Sequence, residues 1–287
     1  MMLIADSGST KTDWVCVDKG KVVMNYKTCG LNPYFLSLDE MVALIQKELL
    51  AGGNVDTPEA IHFYGAGCGA KEKELLVHSA LQQAIPQARY IEVSGDMLGA
   101  ARSLFGMTDG IACILGTGAN SCVYKEGKII SNVPSLGYIL ADWGSGAVLG
   151  KDLVAALLQE QLPSEVLEDF YDTYQMTRPY ILDRVYRSPM PNRFLASFVP
   201  FLLKHQAHPI LQALIRDNFS RFFDYYVLQY KEAGEGLEVR CVGSVAYYFQ
   251  DLFRQVADEK GINLAGVEQT PIQSLVRYHG VQSKQVS

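Results

Sequence analysis

One arrangement occurs twice in this chain and limits what it can become. Near its start an apolar stretch, Leu3–Ala5, runs into a polar turn, Asp6–Asp13 (DSGSTKTD). The chain leaves through the alternating Trp14–Asp18, turns at Lys19-Gly20 and continues as Lys21–Tyr26. The same order returns at apolar Gly110–Leu115, a Gly/Thr/Ser turn at Gly116–Ser121, then Cys122–Lys125, Glu126-Gly127 and Lys128–Ile130. Each copy predicts a meander of antiparallel strands rather than an immediate strand–helix–strand unit. Repetition on that scale predicts two related domains facing each other. The boundary is expected near 104–109, giving domains over 1–107 and 108–270, with a C-terminal helix over 271–287 packing back on the first.

Between the two meanders the pattern alternates. A helix is expected over Leu38–Leu50, with Ser37 as N-cap, Asp39-Glu40 in its first turn and Gly52-Gly53 as its stop. Ala60–Tyr64 reads as a strand, Glu72–Ala84 as a helix, Arg89–Val93 as a strand and Met97–Phe105 as a helix. After Gly150 the chain reads as mainly helical, over Lys151–Leu162, Glu165–Tyr174, Arg193–His205 and a long Pro209–Ala233. Leu237–Val242 is then a strand and Val245–Asp258 a helix, before a last strand and a helix at Ile272–His279.

Composition narrows the function classes. Hydrophobic residues make up 48% and charged residues 20% of the 287, which excludes a mostly disordered chain. A net charge of −6 without a basic stripe argues against a nucleic-acid partner. Phe194–Leu203, broken by Ser197 and Pro200, is far short of the ~20 apolar residues of a membrane span. The six cysteines never form a C-x-x-C pair, which predicts reduced, mostly buried thiols in a cytoplasmic protein.

Three glycine-containing turns carry candidate chemistry. In the first, Gly8 permits a tight turn, Ser9 and Thr10 offer hydroxyls, Lys11 adds a positive charge, and exposed turn amides suit an anion. Asp6, at the strand end, suits Mg²⁺ directly or through water. The second turn, Gly116-Thr117-Gly118-Ala119-Asn120-Ser121, repeats the device, so that the two together would clamp a polyphosphate. In the third, Gly243-Ser244 lies between a strand and a helix, where Gly243 allows a flat ring or ribose to approach.

In order and spacing these turns resemble the first phosphate, second phosphate and adenosine motifs of the actin-like ATPase and sugar-kinase superfamily. Within it, Asp6–Asp13, Gly30-Leu31-Asn32, Gly95-Asp96, Gly116–Ser121, Gly137–Gly146 and Val242–Ala246 resemble most the N-acetylglucosamine kinases and the related activating ATPases of the benzoyl-CoA-reductase type. The resemblance implies an α/β chain with a two-domain actin-like (ribonuclease H-like) ATPase fold, mixed sheets and an interdomain cleft. It implies ATP with Mg²⁺ and a small sugar phosphorylated at O6, with Asp96 as the base. Because Asp96 opens a helix, the helix N-terminus is expected to favour its charged form, and an aspartate there also suits the N-cap. Asn32, Ala119, Asn120, Gly137, Tyr138 and Asp142 are the implied sugar neighbours, alongside Asp96 itself. The family often has a basic or aromatic residue after the sugar-contacting Asn, where Pro33-Tyr34 stands here, and an acidic one where Trp143 stands. A second copy of the chain remains open as a partner; nucleic acid and membrane are not expected.

Three rival readings remain. An activating ATPase would carry cysteines for an iron–sulfur cluster in a glycine-rich context, and none is found. A non-catalytic sugar sensor would have no need of Asp96. Gly65-Ala66-Gly67-Cys68-Gly69-Ala70 fits a dinucleotide fingerprint, with Glu92 as the ribose ligand, but it follows an antiparallel meander that such domains lack.

Overall fold

Lys19 and Gly20 both have positive φ (48° and 77°), which closes a tight hairpin between β2 (Lys11–Asp18) and β3 (Lys21–Cys29). β1 (Met2–Ser7) pairs antiparallel with β2 and parallel with β4 (Ala60–Gly65), which pairs parallel with β5 (Tyr90–Gly95). The order is β3-β2-β1-β4-β5. The computed structural model describes residues 1–51 and 58–282. Gly52-Gly53, expected to stop the first helix, and residues 283–287 of the expected C-terminal segment lie outside them.

The described chain separates into two compact units. The first holds Met1–Asp109, Tyr124–Ile130 and the chain from Thr270; the second holds Gly110–Val123 and Ser131–Gln269. In the first unit Leu3–Ala5 of β1 and Trp14–Val17 of β2 are apolar without interruption because both sheet faces are covered there. Leu3, Ala5, Trp14 and Cys16 face one core with Met41, Ile61 and Leu81. Ile4, Val15, Val17 and Tyr64 face the other, closed by Ile272 and Leu275 of the C-terminal helix, Ile272–Gln282. Three more helices belong to this unit: α1 (Leu38–Leu44), α2 (Lys71–Ala84) and α3 (Asp96–Phe105). Ser37 caps α1 in a full capping box with Glu40. The helix expected to run to Leu50 changes at Ile45 into a π-helical turn, where Glu48 accepts the Cys29 amide (2.7 Å).

The second unit has the order β10-β9-β6-β7-β8, the same connectivity met from the other end. The strands of this second sheet are β6 (Gly110–Leu115), β7 (Ala119–Lys125), β8 (Lys128–Asn132), β9 (Val239–Val242) and β10 (Leu264–Glu268), of which Tyr124–Ile130 at the β7–β8 turn counts with the first unit. Between β8 and β9 come α4 (Gly137–Leu140), α5 (Gly146–Leu158), α6 (Ser164–Tyr174), α7 (Arg178–Tyr186), α8 (Pro191–Ala196), α9 (Val199–Lys204), α10 (Pro209–Phe222) and α11 (Lys231–Gly234). They pack around buried rings that include Phe170, Phe198, Phe219 and Phe253.

Several helix extents differ from the pattern reading. Arg193–His205 is two short helices, with Pro200 in the first turn of the second. Pro209–Ala233 is interrupted by a π-helical turn at Phe223–Val227. Val245–Asp258 divides at Phe249 into α12 (Ser244–Tyr248) and α13 (Gln250–Glu259). Of the six cysteines, all but Cys29 are buried. No described helix is long and apolar enough to cross a membrane.

A buried polar cluster fastens the C-terminal helix to its unit. His279 donates to or accepts from the Tyr64 hydroxyl (2.9 Å) and stacks on His62 (3.9 Å between ring centres). His62 bonds to Glu92 (2.7 Å), and Arg102 bonds to Glu92 (2.8 Å) and Tyr64 (2.7 Å). Burial, with His62 and Arg102 alongside, pushes the His279 imidazole down to about 3. Burial pushes Glu92 up, but hydrogen bonds from His62 and Arg102 outweigh it and bring the carboxyl down to about 2.

Leu275 is fully buried, so Leu275→Ala should cost about 2–5 kcal/mol of unfolding free energy in a urea titration; a loss near zero would mean the helix is not part of the cooperative core. His279 is neutral in the fold, so the unfolded chain takes up a proton that the folded chain refuses. Its contribution is complete above about pH 6.5 and falls as the pH drops toward 3. Glu92 adds to this only below its unfolded value of about 4.5. Asp6 and Asp142, whose carboxyls are raised, act in the opposite sense, so the wild type must be compared with His279→Gln. Between pH 6.5 and 4.5 the wild type should lose up to ~1.4 kcal/mol per pH unit more than the variant; parallel curves would remove His279 as the acid-sensitive group.

Candidate active site

In the first unit the site is built where parallel strands end. Register sets Ser7 beside Gly65 and Gly65 beside Gly95, so the β1–β2 turn, the β4–α2 loop and the start of α3 leave the sheet together. The β1–β2 turn is closed by the Gly8 amide on the Lys11 carbonyl (2.9 Å). Below it the Ser7 and Thr12 hydroxyls bond each other (2.8 Å) while Ser7 Oγ accepts the Leu31 amide (3.0 Å) and Thr12 donates to the Cys29 carbonyl (3.2 Å). Gly30 lies on this turn so closely that a Cβ there would sit 2.4 Å from the Gly8 carbonyl oxygen. Ser9 and Thr10 remain at the surface of the turn, and Lys11 pairs with Asp13 (2.6 Å).

Two carboxylates belong to this edge. Burial raises Asp6 to about 7, with Asp96 and Asp13 adding to the shift and Lys11 opposing it. Asp96 is the first residue of α3; Gly95, not Asp96, is the N-cap. The Asp96 carboxylate accepts the Met97 amide (2.9 Å). Contrary to the expectation from its place at a helix start, its pKa is raised, because burial outweighs the amides that favour the charge.

The fingerprint-like loop at Gly65–Gly69 has a different employment from the one its spacing suggests. Gly67 has φ +86°, and a Cβ there would meet Asn32 Oδ1 at 2.7 Å; one on Gly95 would touch the Cys68 carbonyl at 3.4 Å. The loop thus lies against Asn32 on one side and the Asp96 helix start on the other. Buried Asn32 closes its own turn, accepting the Tyr34 amide on Oδ1 (2.9 Å). Glu92, bonded to His62 and Arg102, is not available to a ribose.

In the second unit the β6–β7 turn is set against a helix start. Gly116 donates to the Gly118 carbonyl (3.0 Å), and the Gly116 and Thr117 carbonyls accept the amides of Gly146 (2.8 Å) and Ala147 (3.1 Å), which open α5. Asp142 is buried in the left-handed region (φ +56°), and its Oδ2 would lie 3.1 Å from a Cβ on Gly118. Burial raises its carboxyl to about 6, against hydrogen bonds from Tyr226 and the Ala119 amide. Its Oδ1 is buried without a hydrogen-bond partner. Asn120 Oδ1 accepts the Ser121 amide (2.9 Å) and the Asn132 side chain (3.1 Å). Gly243, at φ +136°, lets the Leu115 carbonyl come within 2.1 Å of where a Cβ would stand, and the next residue, Ser244, is exposed at the start of α12.

The structure therefore gathers Asp6, Gly8–Lys11, Asn32 and Asp96 at one sheet edge. In the second unit it gathers Gly116–Ala119, Asp142 and Gly243 at another. Gly137 and Tyr138 stand apart on α4, where Gly137 has φ +76° and the Tyr138 carbonyl accepts Lys151 (3.2 Å). Trp143 carries two cations on its ring, Arg221 at 4.8 Å and Lys151 at 5.7 Å. The Ser7–Thr12 lock and the role of Tyr226 left no readable signal, since isolated hydroxyls and aromatics occur throughout the chain.

No protein-family model matches the chain, and no curated protein proves similar. Among solved structures, a candidate N-acetylglucosamine kinase from Porphyromonas gingivalis superposes with a TM-score of 0.94 and 41% identity over 99% of this chain and 100% of that one. The chain belongs to the N-acetylglucosamine kinase family. It is a carbohydrate kinase of the actin-like ATPase and sugar-kinase superfamily. A candidate N-acetylglucosamine kinase from Chromobacterium violaceum (TM-score 0.72, 17% identity, 96% of this chain and 98% of that one) shares its fold. So does a ROK family glucokinase from Streptomyces griseus, solved with glucose and AMPPNP (TM-score 0.61, 13% identity, 97% of each chain). The fold of the kinase is thus the two-domain α/β, actin-like one.

Close approach at Gly30 gives a direct test of the first turn. In Gly30→Ala a methyl must displace backbone rather than a flexible side chain, so a loss of about 1–3 kcal/mol is expected. Calorimetric unfolding would measure it; unchanged stability would mean that the turn gives way without cost.

Proposed function

We propose that the kinase transfers the γ-phosphoryl group of ATP to O6 of N-acetylglucosamine or a closely related amino sugar. The whole-length likeness to the Porphyromonas gingivalis protein carries this reading. The site supports it with a partly buried carboxylate, Asp96, set across a glycine loop from Asn32. Gly8, Ser9, Thr10 and Lys11, with Gly116, Thr117 and Gly118, are the phosphate contacts, and Gly243 and Ser244 take the nucleoside. Asn32, Ala119, Asn120, Gly137, Tyr138 and Asp142 surround the sugar.

O6 attacks the γ-phosphorus, the O6–P bond forms, the bond to the β,γ-bridging oxygen breaks, and ADP leaves. The O6 proton passes to Asp96. A raised pKa suits that role, because a base works best when its pKa lies nearer the operating pH. Most of the acceleration comes from positioning and charge neutralisation, as the transition state is loose.

Mg²⁺ fits Asp6: this carboxylate is raised by burial and then by the two carboxylates near it, Asp96 and Asp13, with Lys11 as the opposing cation. Among the described residues no group of three or more acidic, His or Cys side chains holds a metal unaided, so substrate phosphate and water would complete its shell. Bound there, Mg²⁺ supplies positive charge to the phosphates.

Asp96→Asn should lower kcat by about 10²–10⁴-fold with unchanged melting temperature and ATP affinity. The assay is coupled ADP release across a panel of amino sugars with product analysis. Near wild-type turnover would place the base elsewhere, and sugar-independent hydrolysis without a phosphosugar would favour an activating ATPase.

A further inference from the structure

A single π-helical turn supports two of the candidate sugar neighbours. α10 runs regularly to Phe222 and then widens at Phe223–Val227. Such turns are rare and concentrate at functional sites. Tyr226, on this turn and 1% exposed, accepts the Asp142 amide on its hydroxyl (3.0 Å), and its hydroxyl acts on the Asp142 carboxyl to lower it. The Tyr226 carbonyl accepts Ser121 Oγ (2.6 Å). One turn on, the Tyr230 hydroxyl bonds Ser121 Oγ (2.9 Å) and carbonyl (3.0 Å) and receives the Val133 amide (2.9 Å). Ser121 follows Asn120 directly.

Asp142 needs such support. A non-glycine residue at φ +56° is strained unless its surroundings over-determine it. Its Oδ1 is buried and unpaired, which a native fold tolerates where a ligand supplies the missing donor. Cations on neighbouring elements are engaged elsewhere: Lys151 and Arg221 lie over Trp143, and the α5 carboxylate Asp152 is bonded to Asn218. Tyr226 is the ionisable side chain that acts on the Asp142 carboxyl.

The geometry points to Tyr226 as a positioning residue for the sugar: by accepting the Asp142 amide its hydroxyl fixes the Asp142 backbone, and with it the place of the unpaired Oδ1 that a sugar hydroxyl would meet. This rests on Asp142 being a sugar ligand. Ser121 and Tyr230 brace the same turn, tying Asn120 to the device.

Tyr226→Phe keeps the ring and removes the hydroxyl. The KM for the sugar should rise about tenfold, the loss of one buried hydrogen bond, while the KM for ATP stays unchanged. The hydroxyl lowers the Asp142 carboxyl, so the component of the acid limb of kcat/KM for the sugar that Asp142 sets, near pH 6, should move to higher pH. Replacing Tyr226 with 3-fluorotyrosine preserves shape and hydroxyl but strengthens the donor, and should move the same component to lower pH. Neither change should appear in an Asp142→Asn background. If Asp142→Asn leaves the sugar KM unaltered, the sugar-ligand reading falls and this inference with it. If Asp142→Asn raises the sugar KM but the Tyr226 replacements move neither KM nor pH limb, this inference alone is overturned. Equal rises in both KM values with a lowered melting temperature would make Tyr226 a packing residue and also overturn it.

Discussion

The parallel register of β1, β4 and β5 is the constraint on which the first half of the site depends. Because Ser7, Gly65 and Gly95 end their strands in one row, three loops must leave the sheet through the same small volume. Side chains cannot occupy that volume as well, so backbone lies close to its neighbours: Gly30 against the Gly8 carbonyl, Gly67 under Asn32, Gly95 beside Cys68. The polar groups left between are satisfied internally by the Ser7–Thr12 pair and its partners, in a place where unmade hydrogen bonds would be costly. Crowding therefore gives rigidity, and rigidity fixes where the Asp96 carboxylate stands.

Crowding also sets the electrostatics. Asp6, Asp96 and Asp142 all have raised pKa values, with burial as the largest cause in each case. The Asp142 carboxyl reaches about 6 and that of Asp6 about 7. Glu92 and Asp169, by contrast, are paired: Glu92 with Arg102 and His62, Asp169 with Lys204 and His205. The contrast separates two uses of the same residue type. Paired acids fasten helices, whereas acids left short of partners keep free energy available for a cation or a hydroxyl that arrives later.

The two units repeat one topology yet are finished differently. In each, a meander supplies the glycine turn and two parallel strands widen the sheet. In the first unit the far sheet face is closed by the C-terminal helix, locked by the His62–His279 stack. In the second, a helical insertion between β8 and β9 brings its own aromatic core, and its π-helical turn braces the Asp142 and Ser121 segments.

By itself, the sequence determined the meanders, the glycine turns and the place of Asp96 at a helix start, because strand alternation and glycine punctuation are local properties. The family was legible in the order of those turns. Helix breaks at Phe223 and Phe249 were not, since no glycine or proline marks those positions and packing alone decides where a helix widens or divides. The fingerprint at Gly65–Gly69 misled for a related reason: the spacing of its glycines records close backbone approach without naming what approaches, and here it is Asn32. The direction of the Asp96 pKa was likewise beyond local reading. A helix terminus acts from the sequence next door, but burial is imposed by the loops folded over it, and burial is the larger effect.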